Sequence, residues 1–269
     1  MKMLRPPAVA GRFYPGDAAT LRREVNECAG GPAEKQAAIA CVVPHAGYIY
    51  SGGVAGKVFR SLKLPRRVLL LGPRHFPRGE ALAILSSGAW HTPLGDVKID
   101  ESLAAALKRA FPALSEDEVA HSTEHSLEVQ LPFLQILAGD FTFVPIVLGI
   151  DRLETLESLG RAIAKVIAAR NESVLIVTSS DMNHYESDAV TRAKDRLAID
   201  KILALDARGL HEVVRAKGIS MCGYAPAVAM LTAAHELGAT RAELIAYATS
   251  ADASGDKDWV VGYAGVIVS

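Results

Sequence analysis

Cysteine is scarce in this chain: Cys28, Cys41 and Cys222 are the three among 269 residues. So odd and sparse a set argues against a disulfide framework and for free thiols in a reducing compartment. An excess of charge of either sign is lacking as well. With 29 Lys and Arg against 30 Asp and Glu the formal net charge is -1, and no basic block stands out, so the electrostatic footprint of a nucleic-acid binder is missing. The opening MKMLRPPAVAGRFYPGD holds no apolar stretch long enough for a signal peptide, and no later run approaches the length that spans a bilayer. The expectation is a cytoplasmic protein with neither nucleic acid nor membrane as partner. Repeats, low-complexity tracts and Gly-, Ser- or Pro-rich linkers are absent too, and Gly30-Gly31-Pro32 reads as a loop. One domain over residues 1–269 is the simplest organisation, and half the residues are hydrophobic, enough to bury a core without staples.

What the chain does have is alternation. AIACVV (38–43), RVLLL (67–71), ALAIL (81–85), FTFVPIV (141–147), SVLIVTS (173–179), AELIAYA (242–248) and WVVGYAGVIV (259–268) read as strands. Between them GVAGKVFRSL, ESLAAALKRAF, LETLESLGRAIAKVIAA, DAVTRAKDRLAIDKILAL and YAPAVAMLTAAHEL carry a helical period. Continuous apolar strands interleaved with helices predict an α/β domain of three layers, αβα, around a mostly parallel or mixed sheet.

In such sheets ligands gather where the carboxyl ends of strands open into a crevice. Three strands end there in reactive side chains: AIACVVP leads to His45, RVLLLGPR to His75, and SVLIVTSS to Asp181 and then His184. Taken singly, each histidine also fits a loop residue with local hydrogen bonds. Cys222 precedes an apolar helix whose first turn holds Pro226, a setting that lowers a thiol pKa; the alternative is an inert packed cysteine.

PHAGYIYSG, GPRHF, EHSLEVQLPFL, TSSDMNHY and MCGYAP, with the opening AGRFYP and the closing DWVVGYAGV, resemble the Memo family, the B component of the AmmeMemoRadiSam set, in order over nearly the whole chain. The resemblance implies a fold related to the class III extradiol dioxygenases and one metal held by two histidines and a cysteine, which map onto His45, His75 and Cys222. It places Asp181 and His184 beside the metal as catalytic candidates and His125 and Glu128 in the pocket that meets a small-molecule substrate; Tyr50, in the glycine-rich run after His45, reads as a further substrate contact, with plain packing as the alternative. A radical-SAM protein is the partner it suggests. Iron is the favoured metal, with copper or zinc as alternatives, because two imidazoles and a thiolate suit all three and affinity alone does not select ferrous iron. The dioxygenases use a carboxylate where this chain has Cys222. A metal-dependent redox protein is the leading expectation, and a metal- or peptide-binding adaptor without turnover is the alternative.

Two rival patterns occur in the chain. Residues 121–125 read HSTEH, the H-x-x-E-H pattern of a zinc protease, which requires both histidines on one helical face. Gly56-Lys57 fails as a phosphate loop, having Ser51 where the first glycine belongs and Val58 where a hydroxyl belongs. Gly52 and Gly53 are instead expected to let the backbone turn and a helix pack closely.

Overall fold

The computed structural model describes residues 3–269. In chain order its strands are β1 (Leu4–Arg5), β2 (Ala40–Val43), β3 (Arg67–Pro73), β4 (Leu82–Ile84), β5 (Ala89–Thr92), β6 (Gly95–Lys98), β7 (Ser115–Glu116), β8 (Thr142–Leu148), β9 (Val174–Ser179), β10 (His184–Glu186), β11 (Ala242–Thr249) and β12 (Val260–Val268). Nine of them form the central sheet, in the order β10-β12-β2-β9-β3-β8-β4-β7 with β11 along the other side of β12. The middle strands β2, β9, β3 and β8 are mutually parallel, while β4 and β12 run antiparallel to their neighbours. The sheet is therefore mixed. β1, β5 and β6 make a separate three-stranded sheet.

The apolar runs alternate between two cores, as a sheet covered on both faces requires. Leu69, Leu71, Val42 and Ile176 face one core with helices Glu101–Ala110, Leu153–Ala168, Asp188–Leu203, Ala207–Ala216 and Tyr224–Glu236. Val68, Leu70, Cys41, Val43 and Val177 face the other with helices Ala18–Ala29, Tyr48–Arg60 and Leu131–Leu137. This three-layer αβα arrangement is the predicted class and is consistent with the extradiol-dioxygenase-like architecture that the resemblance implies. All seven expected strands are present within one or two residues at each end. The short strands β1, β5, β6, β7 and β10 are not legible in the sequence, because two to four residues carry too little periodicity to register.

Gly52 and Gly53 do not turn the chain; both lie inside helix Tyr48–Arg60. Gly52 and Gly56 instead bring that helix against Ala18–Ala29, where a β-carbon on Gly56 would sit 2.5 Å from the Cys28 carbonyl carbon. None of the three cysteines is in a disulfide. No helix among the described residues is long and apolar enough to cross a membrane.

Candidate metal centre

Three neighbouring parallel strands deliver the site. Val43 of β2 is level with Ser179 of β9, and Leu71 of β3 with Thr178, so the carboxyl ends of β2, β9 and β3 open at the same edge. The chain leaves them through Pro44 into His45, through Ser180 into Asp181, and through Arg74 into His75.

His45 is buried, with Nδ1 2.8 Å from Ser179 Oγ. That hydroxyl already donates to the Ser126 carbonyl at 2.6 Å and accepts from Gln130 Nε2 at 3.0 Å, so toward His45 it can only accept. Nδ1 therefore carries the proton and Nε2 keeps its lone pair. His75 is held in the same tautomer by Glu124. Its Nδ1 lies 2.8 Å from Oε1, and its backbone N–H donates to Oε2 at 2.7 Å. Burial pushes the Glu124 acid upward, yet the His75 hydrogen bond and charge, the Ser126 N–H and the neighbouring His125 outweigh it and hold the carboxyl at about 2. An ionised carboxylate behind an imidazole fixes the ring and makes its other nitrogen a better donor.

His125 stacks on His75 with ring centroids 4.6 Å apart and meets Phe13 edge-on at 4.8 Å. Burial lowers the pKa of His125 to about 4 and that of His45 well below its ordinary value, so both rings are uncharged donors at neutral pH. One ligand atom from each of His45, His75 and His125 lies within 4.8 Å of the other two.

Cys222 stands against this trio without belonging to it. Its Sγ lies 3.3 Å from His45 Nε2 and receives the Asp181 N–H, also at 3.3 Å. The thiol is not activated by the helix it precedes. Burial, reinforced by the Asp181 carboxylate, pushes its pKa up. A bound cation reverses that balance, because a coordinated thiol loses its proton.

Asp181 accepts the His45 N–H at 2.7 Å, which ties the loop after β2 to the loop after β9. Burial raises its acid to about 7. His184 Nδ1 is 2.9 Å from the Ser220 carbonyl, an acceptor only, so Nε2 again keeps the lone pair. Both residues line the cleft of about 470 Å³ that also takes in Tyr50, His45, His75 and His125.

Glu128 is a correction: it does not face this cleft. It is buried, and its oxygens are consumed by Arg5 Nη1 at 2.6 Å, the Ala8 and Val9 N–H groups at 2.8 and 3.0 Å, and Tyr14 Oη at 2.7 Å. An acid buried beside a guanidinium and two amides satisfies the chain instead of a ligand. Its service is indirect, since it clamps the turn that carries Arg12 and Phe13 to the cleft wall. The protease pattern fails too. Helix Glu118–Ser122 ends between its two histidines, the His121 ring is buried near Trp90 with centroids 5.8 Å apart, and Glu124 serves His75.

Arg12, Phe13 and Tyr263 line the cleft, and Glu124 and Ser179 orient its histidines, yet the sequence alone gives none of the five this role, and Glu124 stands out there only within the protease pattern. AGRFYP, EHSLEVQLPFL, TSSDMNHY and DWVVGYAGV contain all five as motif members without a role at the cleft.

Fold and site together define an α/β protein with a histidine cluster in a cleft at the carboxyl edge of a mixed sheet. The family model described as Memo-like protein matches residues 5–267. A MEMO1 family protein of Methanopyrus kandleri is 41% identical over 282 residues, covering 98% of this chain and 99% of that protein. One from Ignicoccus hospitalis is 43% identical over 281 residues, covering 98% of each. The chain belongs to the Memo-like family. The crystal structure of an uncharacterized protein from Escherichia coli K12 overlays with a TM-score of 0.57, covering 85% of this chain and 98% of that one at 14% identity, a likeness of fold alone.

Proposed function

We propose that the cleft is a mononuclear metal site of a cytoplasmic redox protein acting on a small organic molecule, with iron favoured and copper or zinc as alternatives. The observation that carries this reading is the tautomer of two imidazoles. His45 and His75 each commit Nδ1 to an internal acceptor, Ser179 Oγ or Glu124 Oε1, and so offer Nε2 lone pairs beside His125. Cys222, in contact with His45 Nε2, is the thiolate of the set and His125 its remaining donor. Three imidazoles and a sulfur suit each of the metals named.

When bound, the metal supplies Lewis-acid or redox chemistry at positions the protein leaves open. The chain's own residues do the rest. His184, with its unprotonated Nε2 in the cleft, takes up or returns a proton there. Asp181 holds the His45 loop, and its acid, poised near neutrality by burial, is a second proton carrier. Phe13, Tyr50 and Tyr263 wall the cleft and give the stem of a small organic molecule apolar surface to lie against. A radical-SAM protein, the partner suggested by the family, is the neighbour this reading expects.

The test is metal content after anaerobic purification of the protein and of its His45→Ala, His75→Ala, His125→Ala and Cys222→Ser variants. One equivalent in the parent, and loss in the His45 and His75 variants, is the expected outcome; unchanged occupancy in both would falsify the site. Cobalt(II) substitution separates the third donors. A near-ultraviolet thiolate-to-cobalt band that vanishes in Cys222→Ser assigns the sulfur, and its absence from the parent leaves a three-histidine set.

A further inference from the structure

A second cavity, of about 480 Å³, adjoins the metal cleft and shares Arg12, Phe13 and His125 with it as walls. Phe76, Arg78, Ser122 and Thr123 also line it, and among the described residues no carboxylate does. Neither the Arg12 nor the Arg78 guanidinium has a partner among the described residues. Arg5, by contrast, spends its own on the carbonyls of His121 and Glu124 and on the Glu128 carboxylate.

The placement of Arg12 is built. The Val9–Tyr14 turn is closed by Gly11 N–H to the Tyr14 carbonyl at 2.7 Å and by Arg12 N–H to the Val9 carbonyl at 3.0 Å. Glu128 then locks that turn to the body of the protein through Ala8, Val9 and Tyr14. A buried charged network thus holds an unpaired arginine at the mouth of a cavity beside Phe76, a residue 44% exposed. Two unpaired guanidinium forks with no competing acid make a site for an oxyanion, and the two phenylalanine rings give an apolar stem somewhere to lie.

We propose that this outer chamber is the subsite for the anionic group of the substrate. The substrate is an organic anion, a carboxylate or phosphate on an apolar or aromatic stem, bound by Arg12 and Arg78 with its far end toward the histidine cluster. The assignment of that far end rests on the metal-site reading above; the anion preference does not. Of the two anions, the carboxylate arm is probed with 4-fluorobenzoate and the phosphate arm with 4-fluorophenyl phosphate, against 4-fluorobenzamide as the neutral counterpart.

Binding is followed by fluorine NMR on the full chain freed of metal by a chelator, so that a failed metal site leaves the measurement intact. One or both anions are expected to bind about tenfold or more tightly than the amide, the worth of a charge-assisted hydrogen bond. The double variant Arg12→Gln/Arg78→Gln loses the preference, and Arg12→Lys keeps part of it. Equal affinity for acid, phosphate and amide in the parent overturns the proposal, as does an anion preference that survives in the double variant. Anion preference with no metal uptake by the parent supports the chamber and defeats only the metal reading.

Discussion

Glu124 shows how much of the site is settled by one side chain that never faces the cleft. Its carboxylate receives His75 Nδ1–H, the His75 backbone N–H and the Ser126 N–H, so ring position and tautomer are set together. In Glu124→Gln one carboxylate oxygen becomes an NH2 that meets a backbone N–H in either orientation, that of Ser126 or that of His75. The imidazole then loses the anionic acceptor that fixes its ring and strengthens its Nε2 lone pair. Metal affinity is expected to fall by about 10- to 100-fold with the fold kept, measured by competition with a chromophoric chelator alongside circular dichroism. Unchanged affinity would mean that His75 is not a ligand. His45, His75, Asp181 and His184 were legible in sequence because each follows an apolar strand. Glu124, Ser179 and the position of His125 beside the other two were not, because their effect on His45 and His75 crosses from one segment of the chain to another and leaves no local pattern.

Among the elements, helix Tyr48–Arg60 carries the chain away from His45, and its seat depends on two small residues. At Gly56 a methyl group would lie 2.5 Å from the Cys28 carbonyl carbon and 2.6 Å from the Ala29 nitrogen, both backbone atoms that cannot step aside. Gly56→Ala is expected to force helices Ala18–Ala29 and Tyr48–Arg60 apart and to cost about 1–3 kcal/mol. Gly53, on the exposed side of the same helix with nothing within 4 Å, makes the opposite case. There alanine removes a flexible residue and is expected to stabilise by up to about 1 kcal/mol. Urea unfolding of the two variants checks both signs, and two shifts in the same direction would refute the close-packing account. The long strands were readable because each is buried on both faces and so apolar throughout. Helix Ala207–Ala216 was not read, although it buries Gly209, Leu210 and Val214, because its charged positions conceal a short apolar stripe.

For the molecule as a whole, one buried acid couples stability to pH. Asp195 in helix Asp188–Leu203 accepts the Asn183 N–H at 2.8 Å and the Tyr247 hydroxyl at 2.7 Å, joining the loop before β10 to β11. Burial raises its acid to about 6, against the partial relief of those two hydrogen bonds. The folded state thus binds this proton more tightly than the unfolded chain does. The stability it gives is full below the unfolded pKa near 4 and is lost as pH rises through 6, a difference of about 3 kcal/mol. Asp195→Asn removes the titration, so its stability relative to the parent is expected to improve by about that much between pH 4 and pH 7. Chemical denaturation of both proteins at the two pH values reads the double difference, and a flat one refutes the assignment. Sequence by itself determined the layers and the long strands, and which reactive side chains end them, because burial on two faces and the strand-to-loop boundary are both written locally. Only the tertiary structure decided that β9 lies between β2 and β3, that Glu124 reaches back to His75, and that Glu128 serves the Val9–Tyr14 turn and not a ligand. Those outcomes follow from which strands lie side by side and how helices cross, and residues between 49 and 136 positions apart carry no mark of one another until the chain has folded.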